Sequence, residues 1–598
     1  MSLVSRIKAA TAYSIGELYK QQIPSETILV NSTKPEFEGD YTVVLFAFVK
    51  QLKLSPEALG QELGTHLVAN FPNLFSEFNV VKGFLNLSVS EGYWMRFLTK
   101  SYFNESFGTV APTGSKVMVE YSSPNTNKPL HLGHLRNNFL GRSIAEILKV
   151  TGNDVVKTCI VNDRGIHICK SMIAWQLFAH GATPESTHTK GDHFVGDYYV
   201  QYNDEYKRQI AELKAGGMLE EEAAQSAPIM KAAQQMLLDW EEGKPEVIEL
   251  WKRMNEWVYA GFKETYQKIG TDFDKIYYES NTYLLGKDLV EKGLKENVFY
   301  QKEDGSVWID LTGDGLDEKL VRRKDGTSVY ITQDIGLAEQ KQKEFNAGQS
   351  IYVVGDEQNY HFKVLKLICQ KLKLPSADGI YHLSYGMVEL PTGKMKSREG
   401  TVVDADDLIQ EMVEIARQKT EELGKVNDFT ETERTALYET LGLGALKFFL
   451  LRVDPKKKMV FNPEESIDFH GFTGPFIQYT HARIKSILRK LGIEGNTIEP
   501  TADTAFTEAL LPLEKALIIS LEQFPATLQE AATEHDPSKV AIHIFNLAKT
   551  FSSFYNEHSI ANAATAEKKK LRLMLALFTA SVIKTGMNVL GIHVPERM

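Results

Sequence analysis

Val119-Glu120-Tyr121-Ser122-Ser123-Pro124-Asn125-Thr126-Asn127-Lys128-Pro129-Leu130-His131-Leu132-Gly133-His134 is the stretch on which the fold turns. It follows a β-type run, Lys116 to Tyr121, crosses a polar Pro/Asn loop and enters a helical pattern from about Leu132 to Val150. Gly152 and Asn153 stop that helix, and Val155 to Val161 is β-like again. Strand, helix and strand in about 45 residues make a βαβ unit, which requires a parallel sheet with a ligand crevice at the carboxyl ends of its strands. Where the first strand hands over to the helix, backbone N–H groups and the positive helix end can receive phosphate. Gly133 lets a nucleotide approach the backbone, and His131 and His134, three apart in the first turn, project to one side. The same pair could bind a metal, but no Glu or third ligand stands at zincin spacing, so no metal site is expected. On these residues alone, phosphate binding and an ordinary structural histidine pair are equally good accounts.

Working outward, β-type runs return at Val307 to Leu311, Ser328 to Ile331 and Ile351 to Val354. Between the two halves of the sheet, from about Met172 to Lys268, the chain is helical and charged and reads as an insertion, with outer limits of about 172–290. After about Asp404 almost everything is helical. Thr473 to Leu491 carries apolar residues at helical spacing, Asp536-Pro537 is an N-cap with proline at the first helical position, and Leu571 to Leu590 is a long apolar helix. At the amino-terminal end, helical patterns lead into Phe78 to Ser88, which reads as two short strands joined at Gly83, and Pro112-Thr113-Gly114 marks a boundary. The expected class is therefore α/β: a Rossmann-type parallel-sheet catalytic domain at 113–403, preceded by an α+β domain at 1–112. A helical connector at 404–470 and an all-α bundle at 471–598 complete the chain.

Composition narrows the class without choosing the chemistry. A chain of 598 residues is too long for one core and implies roughly three to five domains. With 43% hydrophobic and 24% charged residues, and no run of about 18 apolar residues, a globular protein off the membrane is expected. Met1 to Tyr19 has no signal-peptide apolar region, which places the chain in the cytoplasm. Cys159, Cys169 and Cys369 form no Cys-x-x-Cys pair, so neither a disulfide framework nor a structural zinc is expected, and burial in a reducing compartment is. The net charge of −11 neither supports nor excludes a nucleic-acid partner, because it does not set the sign of one local face.

His131-Leu132-Gly133-His134 resembles the HIGH tetrapeptide of class I aminoacyl-tRNA synthetases, and the preceding Ser-Pro-Asn and Lys-Pro resemble the form found in arginyl-tRNA synthetases. About 260 residues later, Gly393-Lys394-Met395-Lys396-Ser397-Arg398-Glu399-Gly400 resembles the family's second signature, KMSKS, a lysine-bearing loop that stabilises the triphosphate. Its fourth position departs from the pattern: Ser397 stands where the catalytic lysine is usual. The resemblance implies that Lys128 supplies the missing charge, beside Lys394 and Lys396.

A planar, permanently charged guanidinium calls for carboxylates in fixed geometry, with an aromatic face or hydroxyl nearby. Tyr330-Ile331-Thr332-Gln333-Asp334 is similar to a Tyr-x-Thr-x-Asp segment of arginyl-tRNA synthetases, which implies that Tyr330 and Asp334 hold the guanidinium together with Glu279. By the same resemblance Ser123, Asn125, His131 and Gln358 orient the α-amino and carboxylate groups, and Glu120 is a further acid of the pocket. For ATP the implied set is His131, Gly133, His134, Asp356 (ribose), Met387 and Val388 (adenine), Lys394, Met395 and Ser397, with Mg2+ accompanying the nucleotide.

The stretches Gly474 to Arg483 and Gly591 to Met598 look like the anticodon-binding domain of arginyl enzymes, which points to Arg483, Tyr555 and Met598 as tRNA contacts. Gly83-Phe84-Leu85-Asn86 resembles the part of the amino-terminal domain that meets the tRNA D-loop, which adds Phe84 and Asn86. Taken together, the resemblance implies a monomeric arginine–tRNA ligase, with L-arginine, ATP and tRNA(Arg) as partners, no membrane and no structural metal. Its chemistry is attack of the arginine carboxylate on the α-phosphate of ATP. Transfer to the 2′-OH of the tRNA terminal adenosine comes next, and bound tRNA is needed even for the first step. Two alternatives stay open: a class I synthetase for another amino acid, such as cysteine or glutamate, and a tRNA-binding paralogue without catalysis.

Overall fold

Val117 and Val119 enter one apolar core and Met118 the other, all buried, as a parallel strand covered by helices on both faces requires. The computed structural model describes residues 2–391, 403–424, 426–493 and 508–598. The central sheet has five strands: β1 (Lys116–Glu120), β2 (Asp154–Val161), β3 (Lys275–Tyr278), β4 (Gln349–Gly355) and β5 (Ile380–Tyr385). Their spatial order is β5-β4-β1-β2-β3 and every pairing is parallel, with Tyr352 opposite Glu120 and Glu120 opposite Thr158. Strands β1 to β3 step one way and β4 and β5 the other, so the order reverses between β1 and β4. That reversal opens a crevice at their carboxyl ends, where Tyr121 and Asp356 follow.

The first crossover helix, α1 (Leu132–Val150), spans the same residues as the pattern predicts, and Gly152 after it takes φ +95°. Gly141 on α1 is needed for its packing, because a Cβ there would come within 2.3 Å of the Tyr121 ring. Helix α2 (Tyr330–Phe345) begins directly after Val329, so the β-run expected at Ser328 to Ile331 is not a strand. Val307–Ile309 is a strand, but it pairs antiparallel with Tyr300–Gln301 and Lys319–Arg322 in a separate small sheet. The expected helical insertion begins early and ends early. Helices run from Ile166 to Ile269, whereas Lys275–Tyr278, inside the predicted 172–290, is the edge strand β3.

Within that insertion, the helix Gly191–Ala215 lies against the loop that precedes α1. A Cβ on Gly196 would come within 2.8 Å of Pro129 Cδ. At the same helix start Lys190 Nζ reaches Asp192 (3.0 Å) and Asp406 (2.7 Å), and His193 Nε2 lies 3.2 Å from Asp404. Asp404 in turn caps the helix Ala405–Glu422, and Ala405 N and Leu132 N bond across to Leu130 and Val403 carbonyls. The insertion, the entrance to α1 and the segment after residue 402 thus meet in one ionic cluster.

The amino-terminal region packs helices Leu3–Tyr19 and Pro56–Asn70 on a four-stranded sheet containing the hairpin Phe75–Val81 and Phe84–Val89. Lys82 (φ +48°) and Gly83 (φ +81°) close the hairpin, matching the predicted joint at Gly83. Gly60 and Gly64 leave space for Val80 and Phe78, so helix and sheet come close.

At the other end, helices Gly474–Lys490, Pro512–Glu534, Ser538–Glu557 and Ala566–Val589 form a bundle. Asp536 caps the third from just outside and Pro537 precedes its first residue, one position earlier than predicted. The two stretches that resemble an anticodon domain touch: Gln478 Nε2 donates to the His593 carbonyl (2.7 Å), and His481 Nδ1 lies 2.9 Å from the Pro595 carbonyl. Among the described residues, no helix is long and apolar enough to cross a membrane.

Candidate active site

His131 is the N-cap of α1, and the two histidines cap that helix reciprocally. Gly133 N–H donates to His131 Nδ1 and His131 N–H to His134 Nδ1, each at 3.1 Å, with ring centroids 3.9 Å apart. A Cβ on Gly133 would crowd the His131 ring at 3.0 Å, so this glycine serves the cap as well as backbone access. With Nδ1 accepting in both rings, a neutral imidazole carries its hydrogen on Nε2. Both are held neutral. Burial, and then Lys128, drives His131 down to about 3, against a pull from Asp404; burial, His131 and Lys128 drive His134 well below the usual histidine range. The pair therefore offers two fixed neutral Nε2–H donors beside the half-buried Lys128, at the positive end of a helix 19 residues long.

The same physics predicts a pH dependence of stability. The folded-state value of His131 lies below its unfolded value, so its contribution is complete above about pH 6.5 and is lost as pH falls towards 3. His481 and His543, buried and held at about 4, act in the same direction. His193 acts oppositely: the carboxylates of Asp404 and Asp406, 3.2 and 3.4 Å from its Nε2, raise it to about 10, so its contribution is present below pH 6.5 and is lost as pH rises through 10. Thermal midpoints are expected to fall from pH 7 to pH 5, with net proton uptake on unfolding at pH 5 by calorimetry in buffers of different ionisation heat.

Three residues that motif reasoning passes over build the crevice. Arg136, fully buried on α1, donates to four carbonyls: Gly386 (2.6 Å), Met387 (3.3 Å), Pro455 (3.3 Å) and Lys457 (2.9 Å). It thereby fixes the expected adenine segment, where Gly386 passes so near Lys457 that a Cβ would come within 2.6 Å of its backbone. Asn137 ties three strand ends, accepting from Ser122 N–H (2.6 Å) and donating to the Val353 carbonyl (2.7 Å) and Tyr385 Oη (3.2 Å). Asp163, after β2, accepts from Ser280 N–H (2.8 Å), Ser280 Oγ (2.7 Å) and Tyr259 Oη (3.0 Å). The helical pattern marks Arg136 and Asn137 as positions on α1, but nothing local says that they face in. Arg136→Met would strand four carbonyls. With each bond to a charged group worth about 1.5–3 kcal/mol, the expected result is a rise of tenfold or more in KM for ATP and a lower melting temperature.

The chain after β1 is strained: Ser122 (φ +83°) and Ser123 (φ +45°) are left-handed in succession, non-glycine conformations that concentrate at functional sites. Beyond them Asn125 is exposed and bridges to Asn162. Gln358 ends the turn that follows β4 and is exposed, and Asp356 opens that turn. Met387 is partly exposed and Val388 is buried. Lys394, Met395, Lys396 and Ser397 lie outside the described residues.

The acids gather on the β3 and α2 side of the crevice. Glu279 follows β3, and burial raises its pKa, with Asp163 and Asp334 pushing the same way and Arg164 opposing. Arg164 itself is engaged by Glu241 (3.0 Å) and lies 4.0 Å from the Tyr283 ring centroid. No hydrogen bond or ion pair engages the Glu279 carboxylate among the described residues. Asp334 is on α2, held by His361 Nε2 at 2.6 Å, and Tyr330, four residues before it, is 72% exposed. Glu120 is different: it is buried in an ion pair with Lys341 and accepts from Thr158 Oγ1 (3.2 Å), so its charge is already matched. Glu279 and Asp334 thus form an acidic pair at the crevice, each sensing the other's charge.

Of the expected RNA contacts, Phe84 is 39% exposed at the hairpin tip, edge-on to Phe46. Asn86 is buried, its amide engaged by Thr42 (2.6 Å) and Asn79 (2.8 Å). Arg483 lies over the rings of Tyr479 (4.6 Å) and Tyr555 (5.9 Å), and Tyr555 and Met598 are half-buried.

A doubly wound parallel sheet whose first crossover helix opens on a paired-histidine cap, followed by a helical bundle, defines the class I aminoacyl-tRNA synthetase fold. The family model of class I tRNA synthetases (R), catalytic domain, matches residues 100–462. The DALR anticodon binding domain matches 477–598, and the arginyl tRNA synthetase N-terminal domain matches 5–89. Arginine–tRNA ligase of Bacteroides thetaiotaomicron is 51% identical over 600 residues, covering 100% of both chains, and that of Flavobacterium psychrophilum is 53% identical over 611, again covering 100% of both. Thermus thermophilus arginyl-tRNA synthetase superposes with a TM-score of 0.76 at 25% identity over 99% of each chain. The chain belongs to the arginyl-tRNA synthetases, ligases of class I.

Proposed function

We propose that the crevice between β1 and β4 activates L-arginine with ATP and passes it to the 3′-terminal adenosine of tRNA(Arg). The observation that carries this reading is the coupling of a half-buried acid without a hydrogen-bonded or ion-paired partner among the described residues, Glu279, to Asp334, in a sheet crevice whose first crossover helix opens on the neutral His131 and His134 donors. Glu279, Asp334 and the hydroxyl of Tyr330 grip the guanidinium, while Ser123, Asn125, His131 and Gln358 orient the α-amino and carboxylate groups. Glu120, already neutralised by Lys341, shapes the pocket from behind.

The arginine carboxylate attacks the α-phosphate and pyrophosphate leaves. His131 and His134 donate through Nε2–H to phosphoryl oxygens, and Lys128, with Lys394 and Lys396, meets the charge that develops on the leaving group. Positioning and fixed dipoles do this work, and no side chain acts as nucleophile. The magnesium that accompanies ATP arrives with the substrate. Gly133 lets the phosphates approach, Asp356 takes the ribose, Met387 and Val388 border the adenine, and Met395 and Ser397 belong to the signature segment assigned to ATP. The 2′-OH of the terminal adenosine then attacks the arginyl carbonyl and releases AMP.

Phe84 stacks on the tRNA D-loop, with Asn86 holding the hairpin that presents it; Arg483, Tyr555 and Met598 meet the anticodon arm. The enzyme works as a monomer in the cytoplasm, a compartment that suits three buried free cysteines.

The test is charging of unfractionated tRNA by each of the twenty amino acids with ATP. Arginine alone should be esterified, and pyrophosphate exchange should require tRNA. Esterification of another amino acid would point to a different class I specificity, and none at all to a binding paralogue.

A further inference from the structure

We infer that His361 is a positioning residue of the guanidinium slot: it sets the plane of the Asp334 carboxylate and so determines how tightly arginine is selected. This rests on the reading of Asp334 as a guanidinium ligand. Asp334 is not sunk in the core; its side chain is 37% exposed, and that of His361 30%. A carboxylate that open would turn about its terminal torsion, which is broad for aspartate. A guanidinium fork is rigid and planar, and needs the acceptor oxygens in a fixed orientation. His361 supplies that orientation with a contact of 2.6 Å from Nε2 to Oδ2, so that Oδ1 becomes the oxygen offered to the guanidinium in this reading.

The histidine is itself held. It lies in the first turn of the helix Asn359–Lys371, edge-on to Phe362 at 5.9 Å, and Phe362 stacks on His382 at 4.3 Å. His382 Nε2 is 3.0 Å from the Val354 carbonyl of β4. The orientation of Asp334, on α2, is thus referred back to the central sheet. Gln358, which is proposed to hold the other end of arginine, is three residues before His361 at the start of the same helix. One short rigid turn therefore fixes both ends of the amino acid relative to each other, and this is a length gauge.

The experiment measures KM and kcat for arginine and for ATP by pyrophosphate exchange in the presence of tRNA. The proteins are the wild type, His361→Ala, His361→Gln, Asp334→Asn and the His361→Ala/Asp334→Asn double variant. His361→Ala is expected to raise KM for arginine about tenfold, leaving kcat and KM for ATP within twofold. The amide of His361→Gln, which can donate to the same oxygen, should restore KM to within about threefold. In the Asp334→Asn background the alanine should add nothing, since its effect passes through that carboxylate. An unchanged or lower KM for arginine in His361→Ala, with Asp334→Asn strongly impaired, would overturn the role of His361 alone. A silent Asp334→Asn would instead remove the reading on which it rests. Equal losses in kcat, KM for ATP and thermal midpoint would reduce His361 to a structural residue and overturn the inference too.

Discussion

His134→Ala is expected to lower kcat for arginine-dependent pyrophosphate exchange about 10²- to 10³-fold, the usual loss for one preorganised donor to a developing charge. The loss should fall on kcat rather than on arginine binding, because the role proposed for the Nε2–H is to meet phosphate charge that grows only as the reaction proceeds. A part of the damage is local: the imidazole also accepts the His131 N–H at 3.1 Å, and losing a cap costs about 1 kcal/mol. His134→Asn separates the two roles, since its shorter side-chain amide can accept that N–H at the Nδ1 position without reaching the position of Nε2. If exchange in His134→Asn stays at the wild-type rate, the histidine serves the helix and not the phosphate. The neutral state of the pair also predicts that acidification from pH 7.5 to 6 does not protonate the Nδ1 acceptors and break the cap that aims these donors, so an acid limb in kcat near 6.5 would contradict it.

Glu279→Gln is expected to reduce kcat/KM for arginine about 10²- to 10³-fold, because breaking a desolvated charge pair costs about 3–5 kcal/mol. Partial burial and the negative neighbours Asp163 and Asp334 outweigh the pull of Arg164 and raise the pKa of this carboxylate, and in the proposed complex the guanidinium would supply the missing positive charge. KM for ATP should hardly move. Citrulline, the neutral analogue of arginine, gives the sharper measurement: the preference for arginine over citrulline should narrow in Glu279→Gln by the same factor by which arginine itself is weakened. A variant that discriminates as well as the wild type would place the guanidinium elsewhere. The same change should raise stability slightly, since the neutral amide needs no counter-charge in a buried site.

How much of this was legible in advance differs by element, for identifiable reasons. Helix α1 and strands β1, β2 and β4 announced themselves because long periodic or β-branched runs with glycine and proline punctuation specify local structure directly. Strand β3 did not, because Lys-Ile-Tyr-Tyr is four residues long and its neighbours in the sheet lie over 100 positions away. Ser328 to Ile331 has the composition of a strand, yet only Ser328 makes a bridge, to Arg322, before Tyr330 opens α2. In the site, motif residues were readable as a family pattern. Arg136, Asn137, Asp163 and His361 were not, because each acts through hydrogen-bond partners supplied by segments distant in sequence. Glu120 shows the converse: its motif position marked it as a pocket acid, whereas only the fold reveals Lys341 against it.

Gly196 sits about sixty residues downstream of His134 and belongs to no motif, yet Pro129 rests against its bare α-carbon. His193, one helical turn earlier, is fastened to the aspartate beside the start of α1. A genetic screen for inactive alleles should therefore return hits in this helix, and they would be misfiled as defects in RNA docking. Biochemically they would look like phosphate-site lesions, with charging and adenylate formation failing together while affinity for tRNA survives.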